Sequence, residues 1–124
     1  MYRTIEDFVD DWKYESEATL KVIGALTDGS LGQKVTPEGR SLGYLAWHIV
    51  LTLGEMGGKS GLNLKAPAED APQPEKAAEI AATYEAAARS VIADVQLKWT
   101  DSSLRDEIDM YGEKWKRGHA LVSL

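Results

Sequence analysis

Apolar residues recur every three or four positions along three long stretches of this chain, and no segment of any length alternates apolar with polar. The first stripe runs through Ile5, Phe8, Val9, Trp12, Ser16, Thr19, Leu20, Ile23 and Leu26, the spacing of one face of an α-helix. Thr4 is placed to cap its start, and Glu6 and Asp7 suit the positive end of the helix dipole. The helix is expected to stop near "TDGSLG", with Gly29 and Gly32 supplying turn conformations. After the turn-rich "VTPEGR", a second stripe begins near Ser41 and passes through Leu42, Leu45, Ala46, Ile49, Val50, Leu53 and Met56, with Gly57 and Gly58 as its expected end.

A third pattern spans Glu75 to Leu97, where Ala77, Ile80, Ala81, Tyr84, Ala87, Ala88, Val91, Ile92 and Val95 share a face. Its alanines favour helix and allow close helix packing. Before it, "GKSGLNLKAPAEDAPQP" holds all but one of the prolines and has no period, so it reads as a crossover or mobile loop. In "KWTDSSLRDEIDMYGEK", Asp101, Ser102 and Ser103 mark a turn and "EIDMYG" a short extended piece. A last helix is expected to start around Glu113 or Trp115 and to be still running at Leu124. The expectation is an all-α fold in one domain, residues 1–124: an up-down four-helix bundle with a long crossover loop and a short or truncated last helix.

Charge and composition narrow the partners. Fourteen Lys and Arg stand against 20 Asp and Glu, a formal net charge of −6, and no basic patch is segregated, so nucleic acid is an unfavourable partner. No apolar run approaches the roughly 20 residues that span a bilayer, and no membrane partner is expected. There is no cysteine, hence no disulfide and no thiolate ligand or nucleophile. The acidic, amphipathic "MYRTIEDFVDDW" lacks the basic start and small-residue cleavage site of a secretory signal, so a cytoplasmic location is expected.

One histidine stands out in "SLGYLAWHIVLTLGEM". His48 lies on the shoulder of the second stripe, with Thr52 and Glu55 above it on the same strip. Its ordinary reading is a partly buried, hydrogen-bonded side chain; its sharper reading is a metal ligand, since imidazole is the commonest one and bundles build metal sites from facing helices. Spacing leaves both open, because an open catalytic centre usually needs three protein ligands.

The "SLGYLAWHIVLTLGEM" helix after its "TPEGR" turn, the Ala-rich third helix and the closing "GEKWKRGHALVSL", in this order, resemble the DinB-like (YfiT-like) superfamily of four-helix bundles. The resemblance implies a bundle, often a homodimer, holding a divalent transition metal, nickel or zinc, on three histidines: one from the second helix and two, spaced H-x-x-x-H, from the fourth. It makes His48 the one metal ligand that carries over, with Thr52 or Glu55 orienting the imidazole. The H-x-x-x-H pair has no counterpart before Leu124; His119 is the only other histidine and reads as an exposed or first-turn residue. The chain is therefore expected to be either a truncated member or a shortened bundle without the site, and a short fourth helix, leaving part of the core stripe bare, favours association.

Beside His48, Tyr44 and Trp47 are expected on the far side of the second helix, as a dimer face, a pocket rim or ordinary surface aromatics. Trp12, Trp99 and Trp115 read as core or loop anchors. Asp10, Asp11, Glu15 and Glu17 read as a solvated face, with Glu15 bordering the Ser16 and Thr19 break in the first stripe, where a small polar ligand could sit opposite His48. Lys114, Lys116 and Arg117 read as a solvated helix start. No phosphate loop, nucleophile elbow or H-E-x-x-H helix occurs. The resemblance implies a metal-dependent hydrolase or small-thiol transferase acting on a small-molecule substrate; the alternative is a non-catalytic bundle acting through self-association or partner binding.

Overall fold

The computed structural model describes residues 1–124. Three long helices form as the periodicity requires: α1 at Ile5–Gly24, α2 at Leu42–Lys59 and α3 at Ala77–Lys98. A two-stranded antiparallel hairpin, β1 at Glu107–Met110 and β2 at Glu113–Lys116, follows, and α4 at Arg117–Val122 closes the chain. The fold is mainly helical.

The helix starts obey local chemistry. Thr4 caps α1 by accepting from the Asp7 amide at 3.1 Å, and Ser41 caps α2 by accepting from Tyr44 at 3.1 Å. Lys76 offers α3 no cap, so a distant residue does it: Asp28 Oδ1 accepts from the Ala77 amide at 2.7 Å. That bond also ties the α1–α2 link to the head of α3.

α3 is the central helix. α1 and α2 both lie along it and approach each other far less. Ile80, Ala87, Val91 and Val95 of α3 are fully enclosed, and they join Phe8, Val9 and Trp12 of α1 and Ala46, Val50 and Leu53 of α2 in one hydrophobic cluster. The Trp12 indole N–H donates to the Ala88 carbonyl at 2.9 Å, so its polar edge is satisfied inside the α1–α3 seam.

Several expectations are corrected. α1 ends earlier than expected, at Gly24, with Ala25 in a right-handed conformation; Gly29 does lie in a turn, the 3₁₀ turn Asp28–Ser30 closed by reciprocal Thr27 and Ser30 hydroxyl bonds, and Gly32 in the turn after it, both without a positive φ. Gly57 and Gly58 do not end α2. The helix runs on to Lys59, and the positive φ that reverses the chain belongs to Gly61, at 97°. Gly57 is glycine for packing: a Cβ there would lie 2.5 Å from Leu64 Cδ1, so the crossover can press directly on the helix.

The crossover itself is pinned. Asn63 donates to Asp94 at 2.7 Å, Lys65 to Ser90 Oγ at 2.9 Å, and the Trp47 indole to the Ala71 carbonyl at 3.0 Å. Trp47, expected on the outside of α2, is therefore buried, because the crossover folds over that side. The opposite correction falls on Leu45 and Ile49, expected in the core but 40% and 43% exposed.

The last helix starts later than expected. Glu113–Lys116 pairs with Glu107–Met110 as a strand, Ile108 opposite Trp115, and the helix proper begins at Arg117 and has only six residues. Tyr111 and Gly112, at φ 51° and 83°, make the tight turn between the strands, the two positive values a type I′ hairpin needs. The Tyr111 hydroxyl reaches Glu55 at 3.1 Å, and Lys59 Nζ sits 4.9 Å from its ring centre, contacts that hold an otherwise unfavourable backbone conformation in place. No helix is long and apolar enough to cross a membrane.

Candidate functional site

Because α1 and α2 meet α3 without closing on each other, a cavity of about 510 Å³ opens between them. From α1 it receives Phe8, Asp11, Trp12, Glu15 and Thr19. These follow spacings of three and four, so they form one strip down the helix. From α2 come His48, Ile49, Thr52, Leu53 and Met56, and Tyr84 of α3 forms part of the floor. Residues Leu121 to Leu124 close one end and Tyr2 lies at the rim.

His48 is exposed at this opening. Its ring stacks on Tyr44, with ring centres 6.0 Å apart and planes 7° from parallel, and the Arg40 guanidinium lies 4.9 Å from the Tyr44 centroid. The two rings stand one turn apart along the outside of α2. Thr52, half-buried one turn on, lines the same cavity.

Glu55 does not join them. It lines a different hollow under the crossover and accepts the Tyr111 hydroxyl, so it serves the hairpin rather than His48. His119 is exposed on α4, edge-on to the Trp115 ring at 5.4 Å, and takes no part in the cavity. Trp12 and Trp99 are buried anchors; the Trp99 ring also carries Arg117, whose guanidinium lies 5.3 Å from its centre. Of the Lys114, Lys116 and Arg117 group, Lys114 pairs with Asp109 and Arg117 with Asp106.

The expected gap at Ser16 and Thr19, bordered by Glu15 and opposite His48, is met in part: Glu15, Thr19 and His48 line one cavity, whereas Ser16 lines a separate hollow between α1 and α3. Asp11, Tyr2 and Tyr84 were not singled out for it. The signal for Asp11 was its spacing, since Asp11, Glu15 and Thr19 are each one turn apart on the flank of the buried stripe. Tyr2 precedes the helix, and no periodicity reaches it.

Two phenols register the surroundings. Burial, then the neighbouring Asp11 carboxylate and the charge of Glu15, push Tyr2 above the usual tyrosine value. Burial also raises Tyr84, against the opposing effect of the Thr19 hydroxyl. Both stay protonated at neutral pH and can donate hydrogen bonds.

A divalent metal centre does not fit these donors. Nowhere in residues 1–124 do three or more His, Asp or Glu side chains gather so that they could hold an ion, and His48 is the only imidazole at the cavity.

A family model described as the DinB family matches residues 1–122. The uncharacterised protein YrdA of Bacillus subtilis (strain 168) is 36% identical over 124 residues, all of this chain and 74% of that protein. The crystal structure of a DinB-like protein from Bacillus cereus superposes with a TM-score of 0.93 at 35% identity, covering 99% of this chain and 82% of the other.

Proposed function

The chain belongs to the DinB family, and we propose that its cavity between α1 and α2 is the functional site, where a small molecule is held with its polar group among the side chains of Glu15, Thr19, His48 and Thr52. The observation that carries this reading is the convergence of polar side chains from two helices, Glu15 and Thr19 on one wall and His48 and Thr52 on the other, over apolar walls that include Phe8, Trp12 and Leu53. A mostly apolar hollow of several hundred Å³ with a few convergent polar groups is the usual form of a small-molecule site. The imidazole and the two hydroxyls can hydrogen-bond a polar group, and the Glu15 carboxylate can accept from one.

Metal-dependent hydrolysis or small-thiol transfer, with nickel or zinc, needs more than these residues. His48 would enter such a centre as one ligand among several, the others supplied from outside residues 1–124 or by a second copy. Residues 1–124 on their own support binding.

The test has two readings. Elemental analysis of the purified 1–124 chain and of His48→Ala is expected to find no stoichiometric transition metal in either; about one ion per chain, lost in the variant, overturns the metal-free reading. Trp12 lines the cavity, so tryptophan emission should report small aromatic fragments entering it. Thr52→Trp, which fills the hollow, should abolish that response while circular dichroism stays unchanged. A response that survives the filling places the ligand elsewhere and overturns the proposal.

A second reading is self-association as a homodimer, favoured by Tyr44, Leu45 and Ile49, which stand 42%, 40% and 43% exposed along one side of α2. Sedimentation decides it: a tight dimer unaffected by chelators supports it, and a monomer at micromolar concentration overturns it.

A further inference from the structure

Resting on the reading of the cavity as a ligand site, we infer that its ligand is a small organic cation, an amine or quaternary ammonium on an apolar body. The charges around the cavity are one-sided. Asp11 and Glu15 stand at its α1 wall, and no lysine or arginine lines it. Neither carboxylate is ion-paired, for the chain's salt bridges join Arg89 to Glu85, Lys98 to Asp94, Lys114 to Asp109 and Arg117 to Asp106. Asp11 and Glu15 are one turn apart on the same helix, so they repel each other until a positive group comes between or beside them.

The walls supply the second requirement. Tyr2, Phe8, Trp12 and Tyr84 all contribute to the lining, and aromatic side chains attract ammonium groups through the negative faces of their rings. Tyr2, half-buried, meets Phe8 edge-on with ring centres 5.3 Å apart, and Phe8 stacks on Trp12 at 6.0 Å, so the three rings are contiguous and Tyr2 is the most open of them. Burial, then the neighbouring Asp11 and the charge of Glu15, raise the Tyr2 phenol, in keeping with carboxylates close to the rim.

An anionic ligand would meet the reverse of each condition. It would lose hydration on entering and find two carboxylates and no fixed positive charge. The carboxylates are exposed at the rim, so they act chiefly by attracting and orienting the cation, while the apolar body is taken by the interior. The net charge of −6 acts in the same direction at longer range.

Three probes of one shape separate the possibilities: phenethylammonium, 2-phenylethanol and 3-phenylpropanoate, titrated by calorimetry at low salt. Phenethylammonium should bind roughly five- to tenfold more tightly than the alcohol, the range expected from ring faces and exposed carboxylates together, and the propanoate should not bind measurably. In Asp11→Asn/Glu15→Gln the ammonium should fall to the level of the alcohol, whose own affinity stays put. Asp10→Asn/Glu17→Gln removes the same charge away from the cavity and should leave the preference intact. If the alcohol binds as well as the ammonium, or the propanoate binds best, the cation inference fails while the cavity remains a ligand site. If none of the three binds, the inference and the reading beneath it both fail.

Discussion

α3 and α2 carry apolar stripes of similar quality, yet one is sealed and the other half open. On α3, Ile80, Ala87, Val91 and Val95 have no exposed surface; on α2, Val50 is as deeply enclosed, but Leu45 and Ile49 on the flank of the same stripe remain 40% and 43% exposed. Residue type does not separate the two helices. Their neighbours do: α3 has α1 on one side and α2 on the other, whereas α2 has α3, then the crossover over Trp47, then the cavity. A stripe states which residues can be buried, and the presence of a partner helix decides which ones are.

The comparison breaks first at its sealed end. Ile80→Ala should cost about 2–5 kcal/mol of unfolding free energy by urea titration, the loss expected for truncating a side chain that its surroundings cannot collapse upon. A cost under about 1 kcal/mol would mean that α3 is no better packed than α2. Next comes Trp47→Phe, which deletes the indole bond to Ala71 but keeps most of the ring. It should cost about 1–2 kcal/mol and raise amide exchange in the crossover more than in α3; uniform exchange across both would show that Trp47 does not pin that segment. Ser41→Ala, removing the cap of α2, should cost about 1 kcal/mol with the m-value unchanged.

What the sequence made legible follows the same division. Helix positions, the Thr4 and Ser41 caps and the α3 core face depend on contacts within one turn or on a stripe with partners all along it, and the periodicity showed them. The fate of Trp47, Leu45 and Ile49 depended on where a proline-rich crossover would lie, and that segment has no period to read. Gly57 looked like a stop signal because its close contact with Leu64 is remote in sequence. The hairpin was half visible: "EIDMYG" read as extended, but its partner strand was assigned to the start of α4, since four residues are too few for alternation to declare itself. His48 with Thr52 above it, and the break beside Glu15 opposite them, were legible by helical spacing, although of the two residues of that break Thr19 reaches the cavity and Ser16 does not. Asp11 was hidden in a run of acidic residues and Glu55 was drawn away by the hairpin.

A smaller effect, confined to acid, tests how the crossover is held to α3. The Asn63 amide and Lys98 hold the Asp94 carboxyl below its ordinary value, outweighing the opposing effect of burial. A carboxyl lowered in the folded state contributes stability that is fully present above its unfolded pKa of about 3.9 and is lost as pH falls through the lower, folded value. Asp94→Asn should therefore narrow the stability difference between pH 6 and pH 3 relative to the parent chain. Identical slopes in the two proteins would mean that the carboxylate does not anchor Asn63.

The smallest expected effect is the most informative about the open side. Ile49→Ser replaces a side chain that lines the cavity and is already 43% exposed, so in an isolated chain it should change unfolding free energy by no more than about 0.5–1 kcal/mol, well below Ile80→Ala. The prediction holds for a monomer. If α2 instead meets a second copy through Leu45 and Ile49, the same substitution should lower the melting temperature in a concentration-dependent way, because burial in a dimer contributes through mass action. Melting curves of the parent and Ile49→Ser chains at two concentrations a hundredfold apart separate the cases. Parallel, concentration-independent curves leave α2 open to a small ligand. Curves that converge on dilution assign its exposed stripe to another protein surface, and the difference between α2 and α3 then lies in when each helix finds its partner.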